Sequence, residues 1–140
     1  MIDAKTAPYA ALLLRLTTGI LFLLHGVYLK VFVFTMAGTA GFFGSLGLPA
    51  WFAWLVMLYE TIGGILLMLG VYTRWVAAFL GIHLLFAALL AHVSKGFWAD
   101  SGGWEYPVFW AIALFALALI GDGAYALKPL GNSAPPRRAA

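Results

Sequence analysis

The stretch that decides the fold is Ala50–Gly70, AWFAWLVMLYETIGGILLMLG, in which twenty-one residues carry a single charge, Glu60. A helix of about 20 apolar residues crosses the hydrocarbon layer of a bilayer, and Leu48-Pro49 just before it suits a helix start. Working outward, Val71-Tyr72-Thr73-Arg74 is a tight turn, and a second apolar run follows from Trp75 to about Val93. A polar loop, Ser94–Gly103, leads to a third run from about 105 to 127, and toward the N-terminus Tyr9–Leu29 forms a fourth, interrupted by Arg15. The whole chain of 140 residues is 64% apolar and 9% charged, with a mean hydropathy of +0.99. A soluble domain is about a quarter charged, so this composition indicates a chain solvated by lipid.

These runs predict an all-α membrane protein, a four-transmembrane-helix antiparallel bundle with spans at about 9–29, 50–70, 75–93 and 105–127. Residues Val31 to Gly47 are apolar but carry Gly38, Gly41, Gly44 and Gly47. Glycine at that density weakens a helix, so a short interfacial or re-entrant segment is expected between the first two spans. The first run lacks a small-x-small cleavage site before Lys30 and reads as a retained helix. Residues 1–130 form one domain, and 131–140 (GNSAPPRRAA from Gly131) read as a disordered tail. Lys5, Arg74, Lys128, Arg137 and Arg138 share the side of the termini, against Lys30 and Lys95 opposite. By the positive-inside rule both termini are cytoplasmic, in a bacterial inner membrane.

Thirteen charges without a basic patch give no nucleic-acid surface. Zero cysteines remove thiolate chemistry and sulfur ligands, so a partner or cofactor must carry any sulfur. There is no Gly-rich phosphate loop, nucleophile elbow or HExxH.

Charge inside hydrocarbon costs at least ~2.5–3.5 kcal/mol per residue at a helix centre, so each intramembrane polar residue needs a reason. Glu60 lies midway along its span, and Gly63-Gly64 share its face and admit a close neighbour. It reads either as a proton-transferring, catalytic carboxylate or as a structural pair fixing helix register. Arg15 and Asp122 lie at similar depth near the cytoplasmic end and are expected to form a structural ion pair. At the opposite end His25, Lys30, His92 and Glu105 are expected to form a ligand-binding pocket above Glu60. Such a set suits a quinone head group, an anionic solute or a metal. His25 and His92 lack metal-ligand spacing in sequence, so haem or a metal has little support and no metal site is assigned. His83 is nine residues before His92, half a turn away at ~100° per residue. It is therefore expected to face lipid or a second subunit, giving a self-association surface on the third span.

The ordered set of motifs resembles the DoxX family of small bacterial inner-membrane proteins. The matching residues are Arg15, Gly19, His25-Gly26 and Lys30, then Gly47-Leu48-Pro49 and Glu60-Thr61-Ile62-Gly63-Gly64. They continue with Leu69-Gly70, Thr73-Arg74, His92, Lys95-Gly96-Phe97-Trp98, Gly102-Gly103-Trp104-Glu105-Tyr106-Pro107 and Gly121-Asp122-Gly123. The segment after Gly123 departs from it, lacking an aspartate the family often carries. The resemblance implies the four-helix fold and a link to membrane redox complexes, the family taking its name from a subunit of a thiosulfate:quinone oxidoreductase. It carries no catalytic residue over. The expected function is thus a membrane subunit of a quinone-linked redox system in thiol, sulfur or oxidative-stress metabolism, acting with other membrane or peripheral redox subunits. The alternatives are a non-catalytic assembly or anchoring subunit and, third, a small-solute transporter.

Overall fold

The computed structural model describes residues 3–127; the sequence-predicted tail 131–140 and Lys128 lie outside them. Five helices follow in order: α1 Ala7–Val33, α2 Thr35–Ser45, α3 Ala50–Leu69, α4 Thr73–Lys95 and α5 Glu105–Ile120. α1, α3 and α4 are each long and apolar enough to cross a membrane, and α5 is a shorter apolar helix of 16 residues, about 24 Å at 1.5 Å per residue.

α1 packs on α3 and α5, and α4 packs on the same two helices, so the four long elements close a ring. The core is a seam of Phe22, Leu67, Leu80, Leu84, Trp110, Leu114 and Leu117. The outside is equally apolar, with Trp75, Phe109 and Leu119 at 74%, 70% and 83% exposure. Water would not tolerate that surface, and lipid solvates it. The chain is an all-α membrane bundle.

Small residues set how closely the helices approach. A Cβ on Gly64 of α3 would sit 2.8 Å from the Gly19 carbonyl oxygen of α1, and one on Gly63 would meet Leu80 of α4. The adjacent glycines thus serve two different neighbours. α3 begins after extended Pro49 and stops at Gly70, whose left-handed φ of 70° closes the last turn with an N–H bonded toward Leu66 and Leu67.

The boundaries differ from the sequence reading in two places. α1 runs past residue 29 to Val33, because its last ten residues, Leu24–Val33, continue in wide i→i+5 turns. At Thr35 the chain reverses through a positive φ of 59°. α2, the segment expected to be interfacial or re-entrant, then folds back against α3 and the far part of α1. The fourth span ends at Ile120 rather than 127, since Gly121 takes a φ of 95° that no helix continues. Residues 121–127 instead form a strap across the near end, the end holding the start of α1 and the α3–α4 turn. Ala124 N–H bonds the Pro8 carbonyl (2.9 Å) and Leu127 N–H bonds the Leu69 carbonyl (2.9 Å).

Candidate functional site

Glu60 and His83 each lie ten residues from the α3–α4 turn, at Gly70 and Thr73 respectively. Two antiparallel helices joined tightly must bring such residues to one depth, here about 15 Å from the turn. The His83 imidazole Nε2 meets Glu60 Oε1 at 2.9 Å. On the other side of its ring, Nδ1 meets the Tyr59 hydroxyl at 2.7 Å.

The second partner of Glu60 comes from α1. A Cβ on Gly26 would lie 3.1 Å from the Glu60 Cβ and 3.0 Å from the Thr61 hydroxyl, so α1 and α3 touch at this level. Lys30 is one turn further on, and side chains on a helix lean toward its N-terminus. Its ammonium reaches back to donate to Glu60 Oε2 (2.5 Å) and to the His25 carbonyl (3.2 Å). The Lys30 carbonyl is in turn bonded by the buried Thr39 hydroxyl of α2 (3.0 Å). The wide turns of α1 lie where this contact is made, a distortion often found at functional sites.

The result is one continuous polar chain in the middle of an apolar bundle: Tyr59, His83, Glu60, Lys30. Glu60 is 6% exposed in its side chain, whereas Lys30 and His83, at its two flanks, are 15% and 14% exposed. A carboxylate only accepts, so against ionised Glu60 His83 offers its Nε2–H; a neutral ring then accepts the Tyr59 O–H at Nδ1, and a protonated ring donates to the Tyr59 oxygen. Two shallow surface grooves, one beside Arg74 and Phe115 and one beside Leu85 and Trp104, lie on other seams. The polar chain is reached edge-on, at Lys30 or at His83.

His83 adds to the sequence reading, which turns it toward lipid or a second copy: it stands at the bundle's edge, 14% exposed, with ring partners in its own chain. Half a turn between residues 83 and 92 assumes a regular helix, but Ala88–His92 is wound in i→i+5 bonds. One residue absorbed by that wide turn cuts the offset from 180° to about 80°. His83 finds its partners, Glu60 and Tyr59, inside its own chain. Tyr59 was not singled out at all, since a tyrosine among aromatics carries no sequence signal. The equal depths of Glu60 and His83 did carry one.

The far-end pocket forms only in part. Lys30 joins Glu60, and His25 lies beside it, its Nδ1–H donating to the Leu21 carbonyl (2.9 Å) and its ring 5.1 Å from Trp110. His92 donates from Nδ1 to the Gly102 carbonyl (2.7 Å), and Glu105 Oε2 accepts the Ala99 N–H (3.0 Å). Both are spent on shaping the α4–α5 loop. Among the described residues no group of three or more histidines, cysteines or acids is gathered as a metal would need.

The Arg15–Asp122 ion pair is likewise not made. Arg15 is fully buried and donates from Nη2 to the Ala124 carbonyl at 2.6 Å. Among the described residues its Nε and Nη1 have no hydrogen-bond partner, and Asp122 acts on it only through space. Shortening of α5 explains this: Asp122 falls on the strap, not on a helix facing α1.

Fold and site together define a class: a small helical membrane protein with a buried Lys–Glu–His–Tyr chain at mid-depth. Residues 10–93 match the DoxX family, and the chain belongs to it. It is 36% identical over 125 residues to "Putative oxidoreductase CatD" of Bacillus subtilis (strain 168), covering 89% of each chain. It is 32% identical over 126 residues to an uncharacterized protein of Haemophilus influenzae, covering 88% of this chain and 91% of that one. No solved structure matches.

Proposed function

We propose that this chain is a membrane subunit of a quinone-linked redox system, with Glu60 as its proton-transferring group. The observation that carries the reading is the hydrogen-bonded chain of Lys30, Glu60, His83 and Tyr59 at mid-depth. Ionisable groups within a membrane are expensive and commonly mark proton or substrate paths. A quinone is the redox carrier that dissolves in the same layer and exchanges protons as well as electrons. The name of the Bacillus subtilis relative supports the oxidoreductase part of this reading.

Glu60 sits between two donors, so its resting role is to accept a proton rather than to give one. Lys30 and His25 flank it toward the far end, while His92 and Glu105 shape the loop above. With no cysteine in the chain, thiol or sulfur substrates fall to a partner subunit. Residues 1–130 act as one domain in a bacterial inner membrane, with both termini cytoplasmic by the distribution of Lys and Arg. The test is a spectroscopic titration of the purified protein with a quinone analogue. Saturable binding weakened by Glu60→Gln is expected; no binding, or binding indifferent to that change, overturns the proposal.

One observation favours a second reading, an assembly or anchoring subunit: each carboxylate oxygen of Glu60 has a donor within the chain, as a structural lock requires. Co-purification with a partner at fixed stoichiometry, with partner activity indifferent to Glu60→Gln, would select it.

A further inference from the structure

We infer that the ligand reaches the polar chain sideways from the lipid, at the seam between α3 and α4, and that Tyr59 is the group that meets it. This rests on the quinone reading above and assigns the first proton step of that site.

Of the two edges of the chain, that at Lys30 is 15% exposed and lies beside α2. α2 folds over the far part of α1, and its Thr39 hydroxyl is bonded to the Lys30 carbonyl. The His83 edge is 14% exposed and carries an aromatic ring with a hydroxyl. Tyr59 is half-buried there, edge-on to Phe79 with ring centroids 5.3 Å apart. Phe79, Leu55 and Phe86 around it are 54%, 43% and 59% exposed. Leu55 is one turn from Tyr59 on α3, and Phe79 and Phe86 are one turn from His83 on either side. A hydroxyl and an imidazole therefore stand inside an aromatic and aliphatic rim open to the bilayer. A flat, apolar ring carrying a hydroxyl is the chemistry that fits it, and a hydroquinone is such a ring.

The relay takes His83 as the neutral Nε2–H tautomer donating to Glu60, so that Tyr59 donates its O–H to Nδ1 and keeps its oxygen lone pairs free to accept. When a hydroquinone hydroxyl donates to the Tyr59 oxygen, its proton moves to that oxygen. The Tyr59 proton moves to His83 Nδ1, and the Nε2 proton moves to Glu60 Oε1. The sum is one proton from ligand to carboxylate: a hydroquinone monoanion and a neutral Glu60, with Tyr59 and His83 unchanged apart from the His83 tautomer. No electron moves in this step. The anion is the better reductant, and its electrons pass to a redox centre of a partner protein, by class a flavin, haem or iron–sulfur centre.

The experiment uses the full chain in lipid nanodiscs with decylubiquinone as probe, cycled between quinone and hydroquinone at an electrode. Infrared difference spectra read carboxyl protonation directly. The wild type is expected to show a protonated-carboxyl band on reduction that is absent in Glu60→Gln. Tyr59→Phe keeps the ring and loses the hydroxyl. It is expected to bind hydroquinone about fivefold more weakly, the worth of roughly one hydrogen bond, and to lose the carboxyl band at saturating ligand. His83→Asn cuts the relay one link further and is expected to lose the band as well. A full band in Tyr59→Phe, or binding in the wild type without any Glu60 band, overturns the relay. Absence of binding in the wild type overturns the quinone reading itself.

Discussion

Replacing Lys30 by Met separates two accounts of the Glu60 contact. If it is one interhelical hydrogen bond among others, membrane proteins set its worth at about 0.6 kcal/mol, with ~1.7 as a ceiling. If it holds a charge in a dry interior, removing one partner strands the other, at about 3–5 kcal/mol. Glu60 is 6% exposed, which favours the second account, but it keeps His83, and the lost ammonium was itself 15% exposed. The expected destabilisation is therefore about 2–3 kcal/mol, roughly a 30- to 140-fold rise in the unfolding constant. Lys30→Met combined with Glu60→Gln removes the stranded charge. The Gln oxygen still accepts the His83 N–H, so the double variant is expected to be more stable than Lys30→Met alone. The assay is reversible unfolding in bicelles, with the unfolding constant measured for wild type, both single variants and the double. A loss near 0.6 kcal/mol for Lys30→Met, with additive effects in the double, would refute the reasoning.

Three further outcomes follow from the packing. Gly64→Ala forces a methyl to within 2.8 Å of the Gly19 backbone oxygen and is expected to cost about 1–3 kcal/mol, whereas Gly41→Ala, in helical α2 with open space around it, is expected to raise stability by up to about 1 kcal/mol. Gly70→Ala combines a left-handed φ of 70° with a methyl driven into the Arg15 guanidinium. The backbone alone costs about 1–2 kcal/mol, and losing the Arg15–Ala124 bond adds roughly 1.5–3; thermal denaturation in detergent should show the largest loss of any glycine variant. His92→Ala releases the Gly102 carbonyl and is expected to make the 96–104 loop more sensitive to protease while leaving quinone-analogue affinity within about twofold.

The spans, the close α1–α3 approach and the isolation of Glu60 were legible because each depends on composition or on spacing within one helix. Glycines at 63 and 64 announced close neighbours, and the bundle supplies Leu80 and Gly19 there. What was not legible depends on departures from regular helix. The wide turns at Leu24–Val33 and Ala88–His92 shift side-chain phase, which a 100° wheel cannot register. Arg15 and Asp122 were matched by depth on the assumption that α5 continues to residue 127. The positive φ at Gly121 ends it and leaves a carbonyl, that of Ala124, to accept the guanidinium N–H. A backbone acceptor has no residue type to announce it.

The charge balance that the relay assumes also limits what the cluster can move. With Lys30 as ammonium and Glu60 as carboxylate the two cancel, and His83 and Tyr59, taken as neutral, add nothing. A proton placed on Glu60 alone removes the counter-charge of Lys30, and at ~4 Å and an effective dielectric of about 20 that attraction is worth about 4 kcal/mol. Uptake from water without a ligand is therefore opposed. Uptake from a hydroquinone leaves an anion at Tyr59, on the same cluster, so total charge is unchanged. The relay should thus be silent until a ligand fills the α3–α4 seam. Reconstituted into liposomes with an internal pH dye, the ligand-free protein is expected to leave proton permeability at the level of protein-free vesicles. A leak through the ligand-free protein that Glu60→Gln suppresses would show that the cluster takes free protons, and the coupling argued from its neutrality would fall.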